Sequence, residues 1–523
     1  MRGRSFMRVS LALVTLVALA VLTACPAPSD PEKADYWVYR LDDKRERNEA
    51  LKKIGHLGDK TTIPQVVEWF EKEGDWQPDA AYTLGQLGDK SVVAKLVAAI
   101  DYQVGTGNDR LTRNKNRTNI NIMRALAMLQ ADDAVDNMIR LLDAQEPTVR
   151  EATIKSLGEL GNTKAVEPLV KIAKTEKEPF LRKVAIQALG DIGGAQAIPA
   201  LIEMLFIEVP GISFYNEARY SLIQMGPAAT PALVDTLQRK NKVVEEITLQ
   251  DGRNIGEGAI EAKASSVLGY LRATDAEGLM IGALNKLYEQ YQKREQIPVY
   301  ASVPGAIREI CYALGNLGTE GAVKALTAIA SDPDESVREP ASEALTQIGD
   351  RDVVKSLMIA ARDGNVTSRR FAIAAASRLG KASDLEAFDS LKNAGSKDVS
   401  VKTMEKLVER ERVRLVAAQE CKEDITCWRK KLKDPESLVR DKAAWEIGYL
   451  GGKDALADLV AAAEDEEAVV RMAAVLSLGR LGGADPKKLE EIHDRWAKKL
   501  DYAGVNLELK RLIARLRAEQ RKK

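Results

Sequence analysis

Leu84-Gly85-Gln86-Leu87-Gly88 is a phrase that this chain repeats almost from end to end. It returns as Leu157-Gly158-Glu159-Leu160-Gly161, Leu314-Gly315-Asn316-Leu317-Gly318 and Leu478-Gly479-Arg480-Leu481-Gly482. Ile replaces a Leu in the copies at 54–58, 189–193 and 447–451. The final glycines at 161 and 193 stand 32 residues apart, and those at 318, 349 and 380, like those at 451 and 482, stand 31 apart. Such a step has room for two helices of roughly ten residues each and two turns. A unit this short, repeated this often, defines a one-dimensional stack of helix pairs, here an all-α solenoid of about twelve pairs.

Each unit has its own logic. In one copy Val149, Ala152, Leu157 and Leu160 fall at helical spacing and make one apolar stripe. Ala185, Ala188, Ala443 and Ala474 are small enough to let neighbouring helices approach. The closing glycine can take the left-handed conformation that ends a helix. Pro168 and Pro199 then mark the first turn of the second helix, where proline is tolerated. Degenerate copies, Leu126 to Gln130 and Leu268 to Arg272, fill the longer gaps.

The pattern V-R-x-x-A-x-x-x-L-G-x-L-G, with Val-Arg again at 337–338, 439–440 and 470–471, resembles the HEAT-like repeats named after phycobilisome lyases. The resemblance covers roughly residues 37 to 485 and implies the solenoid. It implies no single activity, because that family includes lyases, adaptors and scaffolds. The recurring arginines, Arg150, Arg182, Arg338, Arg440 and Arg471, are expected to form a ladder of Arg–Asp contacts between repeats, since Asp332-Pro333 and Asp434-Pro435 precede two of them.

Composition fits packed helices: 45% apolar, 29% charged and only 5% aromatic. Lys+Arg and Asp+Glu are both 77, so nothing in the charge favours nucleic acid. At the start, Arg2, Arg4 and Arg8 precede an apolar run from Leu11 to Leu22 and then small residues, the parts of a secretion signal (1–24). Leu22-Thr23-Ala24-Cys25 resembles the lipobox of bacterial lipoproteins, which implies an acylated Cys25 and a lipid anchor. Residues 25–36 then read as a tether. Pro26, where an Asp would signal inner-membrane retention in that family, points to the outer membrane, facing the periplasm.

Export makes a disulfide between Cys421 and Cys427 the expected state of that pair, with a metal or redox pair as the alternative. Cys311 reads as a buried, inert thiol. The repeat array is expected over 37–394, further repeats over 395–485, and a basic helical cap over 486–523, solvated from Lys510 to Lys523.

Four insertions, 102–119, 206–216, 238–258 and 288–305, fall between the second helix of one unit and the first of the next. They are expected on one edge of the stack, where insertions often mark a binding face. The second is apolar for a loop, and Val243 to Asn254 alternates as a small hairpin would. Phe206, Phe214, Tyr215, Tyr288 and Tyr300 are therefore the candidate protein-binding residues; alternatively the insertions cover one another and seal the stack. Arg110, Arg113, Lys115 and Arg117 read as a solvated basic loop.

No phosphate loop, His-Glu-x-x-His or Gly-x-Ser-x-Gly is present. The two histidines, His56 and His493, sit in the first and last units. No catalytic residue, metal or cofactor is expected. The sequence reads as a membrane-anchored scaffold or adaptor for a protein partner, without nucleic acid or small-molecule substrate. A structural envelope protein contacting lipid or cell wall, or a lyase-like enzyme, are the alternatives.

Overall fold

A computed structural model describes residues 28–497 and 503–520, except 210, 250–257, 296–301, 331, 333, 349–350, 352–353, 364–365 and 398. The signal segment and Cys25 therefore lie outside the described residues. The chain divides into two units, Met1–Pro168 and Leu169–Lys523.

The first unit begins with α1 (Ala34–Arg40), so helix starts inside the expected tether. Pairs follow: α2 (Arg47–Leu57) with α3 (Ile63–Glu71), α4 (Gln77–Leu87) with α5 (Val93–Ala98), and α6 (Arg110–Met128) with α7 (Val135–Arg140). Then come α8 (Pro147–Leu160) and α9 (Val166–Thr175). The first helices α2, α4, α6 and α8 stack on one another in order.

In the second unit, α10 (Pro179–Ile192) and α11 (Ile198–Met204) lead into a two-stranded hairpin, β1 (Glu208–Val209) and β2 (Ile212–Ser213). It is antiparallel, with Val209 opposite Ile212. Next are α12 (Tyr215–Met225), α13 (Thr230–Leu237), α14 (Lys242–Leu249), α15 (Ala259–Tyr270), α16 (Glu277–Gln292), α17 (Val303–Leu317) and α18 (Glu320–Ile329). They continue as α19 (Glu335–Gln347), α20 (Val354–Asp363), α21 (Val366–Leu379), α22 (Leu385–Ser390), α23 (Val401–Cys421) and α24 (Ile425–Lys431). The last are α25 (Ser437–Leu450), α26 (Leu456–Ala462), α27 (Ala468–Leu481), α28 (Pro486–Trp496) and α29 (Ala503–Gln520). The expected boundary at 394 falls inside this unit, where α23 packs against α21.

The repeated phrase does two jobs. Its final glycine ends a helix in the left-handed conformation at Gly58, Gly88, Gly161, Gly193 and Gly318, with φ between 68° and 75°. The degenerate copies keep that stop without glycine, at Gln130 (φ 49°) and Arg272 (φ 51°). Gly451 departs from the rule, being extended at φ −78°. The earlier glycine is where the next first helix passes. A Cβ on Gly85 would stand 2.6 Å from Ala125 Cα, and one on Gly315 2.7 Å from the Ala344 carbonyl oxygen.

The first helices of the second unit do not form an open row. From α12 through α15, α17, α19, α21, α23, α25 and α27 each packs on the next, and α29 packs on both α27 and α12. The series closes on itself. The expected solvated basic cap is therefore a packing element: Leu509, Leu512, Ile513 and Leu516 of α29 are buried. Lys510 of α29 is exposed, whereas Arg511 and Arg515 are part-buried beside the apolar stripe, which packs on α27 and α12.

Candidate interaction surface

The first insertion becomes helix. Only Tyr102 to Asp109 is loop; Asp109 accepts from the Thr112 backbone N–H and starts α6 at Arg110. The inserted residues thus lengthen a first helix at its N-terminal end, by about two turns over its neighbour α4. These turns overhang the connection after α3. Arg110 Nε donates to Asp75 (3.0 Å), Asn114 Nδ2 to the Gly74 carbonyl (2.9 Å) and Lys115 Nζ to Asp101 (3.0 Å). Arg110, Arg113, Lys115 and Arg117 are solvated as expected, but on a helix and not on a loop, and Arg117 reaches Asp79 at 4.0 Å. The Lys115 bond also holds the Asp101 carboxyl below the usual range, against the burial that would raise it.

Beneath the overhang is a groove of about 580 Å³. Glu71, Glu73 and Asp75 line one wall, and Arg110, Leu111, Asn114 and Lys115 the other. Leu111 is 62% exposed, an apolar side chain presented at the mouth of a polar, mixed-charge groove.

The insertions of the second unit took a different course. Phe206 and Phe214 are both fully buried, which corrects their placement on an outward binding patch. The hairpin folds back over its own stem. Lys263 Nζ donates to the Leu205 carbonyl (2.9 Å) and lies 5.4 Å from the centroid of the Phe206 ring and 5.3 Å from that of Tyr215. The Arg182 guanidinium covers Phe214 at 4.4 Å. Tyr215 is part-buried, and its hydroxyl accepts from Arg219 Nη1 (3.3 Å); burial raises its pKa.

Tyr288 lies in α16, its hydroxyl donating to Asp332 Oδ2 (2.6 Å), while Tyr291 donates to Asp334 Oδ2 (2.6 Å). Both aromatics tie α16 to Asp332 and Asp334, just ahead of α19. Tyr300 lies outside the described residues. Val243 to Leu249 forms α14 rather than the start of a hairpin, with Val244 as its buried anchor. The rest of that expected hairpin, 250–254, lies outside the described residues.

Cys421, at the end of α23, and Cys427, in α24, are joined by a disulfide across a Cα–Cα distance of 5.4 Å. Cys311 is a free, buried thiol whose pKa burial pushes up. His56 is exposed; His493 Nδ1 lies 3.1 Å from Asp494. Among the described residues no group of His, Cys, Asp and Glu has metal-holding geometry.

The recurring arginines also have a role that the sequence reading missed. Arg150, Arg338, Arg440 and Arg471 each donate through Nη1 to the carbonyl six residues back; in Arg150, Arg440 and Arg471 the same nitrogen also reaches the one five back. Those carbonyls end the preceding connection, where helix-terminal oxygens lack partners. Arg47 does the same through Nε to Leu41, although no Val precedes it. The expected Arg–Asp ladder has a rung at Arg440, whose Nε donates to Asp465 at 2.9 Å.

A buried ionic network, also unforeseen, joins α21, α23 and α25. Arg414 Nε donates to Asp441 (2.7 Å) and its guanidinium also pairs with Glu411, while Lys442 Nζ donates to Glu446 and to the Arg378 and Gly380 carbonyls. Burial lowers Arg414 to about 10 and Lys442 to about 8. These ions answer one another, as buried charges must.

The family model of HEAT repeats matches residues 109–190, 141–210, 304–378 and 426–502. The chain is built of HEAT repeats. The described residues hold thirteen such helix pairs, between α1 and α29. Among solved structures, the CpcE–CpcF complex of phycocyanin lyase from Nostoc sp. PCC7120 is similar over 47% of this chain and 91% of that one, at 20% identity and a TM-score of 0.27. Human deoxyhypusine hydroxylase with glycerol covers 61% of this chain and 96% of its own, at 19% and 0.20. Yeast importin-beta (Kap95p) covers 94% and 71%, at 11% and 0.45. Likeness at these identities concerns fold alone. No curated protein matches the chain in sequence. In HEAT terms, the groove of the first unit is an enlarged inter-repeat cleft, opened by one overlong first helix.

Proposed function

We propose that this HEAT-repeat chain is an interaction scaffold held to a bacterial membrane by acylated Cys25, and that it takes hold of a protein partner in the groove under α6. The groove carries the reading. Its volume, about 580 Å³, is that of a site for a short peptide segment. Carboxylates face cations across it, with the exposed Leu111 between them. A partner segment with one apolar anchor flanked by charges of both signs fits that pattern. Mixed polar walls provide register, and the leucine provides the desolvated contact that dominates affinity.

A photo-crosslinking residue at 111 should capture one protein in cells, and the same residue at Phe180, an exposed position of the second unit, should not. Equal labelling at both positions contradicts the groove. The anchor is tested separately. Cys25→Ser should move the chain from the membrane to the soluble fraction, and retention of the variant in the membrane contradicts lipidation. Among the described residues no helix is long and apolar enough to cross a membrane.

A further inference from the structure

Closure of the second unit brings together residues far apart in sequence. Where α29 meets α15, α17 and α27 there is a cavity of about 60 Å³, lined by Tyr270, Arg272, Asn316, Glu508, Arg511 and Arg515 among others. Its charges do not balance. Arg511 pairs with Glu508, which also accepts from the Tyr270 hydroxyl at 3.3 Å. Arg515 donates to the Gly479 carbonyl, and its Nε is 3.6 Å from Glu519 at the exposed end of α29. Arg272 enters from the mouth. Three guanidinium groups thus border a cavity that one buried carboxylate answers.

Donors are left over as well. Arg511 Nε and Asn316 Nδ2 are buried without a hydrogen-bond partner among the described residues, and Arg515 Nε has only the 3.6 Å ion pair to Glu519. Orphaned donors in the interior are costly, more so when charged. Burial lowers the Arg511 pKa to about 9, and Arg515 is lowered by burial and then by Arg272. Like charges gathered in a low-dielectric pocket raise one another's energy unless an anion lies between them.

We propose that this cavity binds one small free oxyanion of the phosphate or sulfate type, received by Arg272, Arg511, Arg515 and the Asn316 amide. A volume of about 60 Å³ holds roughly four waters, or one tetrahedral oxyanion. Guanidinium forks match its oxygens in geometry and number. The anion would rivet α29 to α15 and α17, so its binding stabilises the closed series of helices.

The test is thermal melting of the full chain at pH 7 and constant ionic strength, with inorganic phosphate replacing chloride. Binding to the folded state predicts a rise that sets in near the dissociation constant and then grows with the logarithm of phosphate concentration, by about 1–2 °C per tenfold. Sulfate should reproduce it and chloride should not. Arg515→Gln should raise the phosphate concentration at which the rise sets in at least tenfold. Arg272→Gln, at the exposed mouth, should raise it several-fold with the unliganded melt no lower, since one repelling charge is gone, which keeps the test open if the first variant does not fold. Equal effects of chloride and phosphate, or an unchanged onset concentration in Arg272→Gln and in any folded Arg515→Gln, overturn the proposal.

Discussion

A left-handed stop on a residue with a Cβ is strained, and Gln130 (φ 49°) has one where five other copies use glycine. Gln130→Gly relieves that strain at the expense of unfolded-chain entropy, and should raise stability by about 0.5–1 kcal/mol in urea unfolding. The other glycine of the phrase behaves oppositely. Gly85→Ala places a Cβ 2.6 Å from the Ala125 Cα, so α4 and α6 must separate; a loss of about 1–3 kcal/mol is expected in the same assay. The stop was legible in the sequence because it depends on local backbone geometry. The close approach was not, because its partner comes from the next repeat. The same limit applies to the arginines. Val-Arg recurrence announced a structural role, but the partners are backbone carbonyls, which no side-chain pattern displays.

Among elements, α16 shows how an insertion can be absorbed. Tyr288 to Gln292 extends the helix, and its tyrosines strap the next turn. The Tyr291 hydroxyl, with Ser336, holds Asp334 down at about 2 from its ordinary 3.8. A depressed carboxylate contributes stability above its unfolded pKa and loses it as pH falls through the folded one. Tyr291→Phe should therefore cost about 1 kcal/mol at pH 7, allowing for partial exposure. The gap between variant and wild type should narrow from pH 4 to pH 2. A gap independent of pH would show that the ring's packing, not its bond to Asp334, matters.

Alternation in Val243 to Leu249 suggested a strand, yet the segment is helical because a single anchor, Val244, suits either period. The hairpin lies instead at 208–213, where Gly211 (φ 76°) makes the turn. Apolar character in Phe206 and Phe214 was visible, but whether it faced outward was not: burial depends on Lys263 and Arg182, which fold over the rings from other helices.

For the molecule as a whole, the repeat period made the all-α solenoid readable, whereas closure of the second unit was hidden. It rests on pairs such as Lys510 over Tyr220 and Arg517 with Asp191, hundreds of residues apart. The buried ions of α25 have a similar tertiary origin. That helix meets α21 as well as α23 and α27, so Asp441, Lys442 and Glu446, which would ordinarily be solvated, lie inside. Ending the chain after Trp496 should strip the apolar seat of α29 on α12. With about 1.5–3 kcal/mol for each of Leu509, Leu512, Ile513 and Leu516, the loss should be several kcal/mol. Increased binding of a hydrophobic dye near neutral pH would register it.

Function in this account rests on the first unit, where one long helix opens a groove, and not on the aromatic insertions of the second. Partner capture by two paired variants decides between them. Leu111→Asp with Glu73→Lys should abolish capture with the melting temperature unchanged, and Phe206→Ala with Phe214→Ala should lower the melting temperature while the folded fraction still captures. Capture that survives the groove variant would contradict the account.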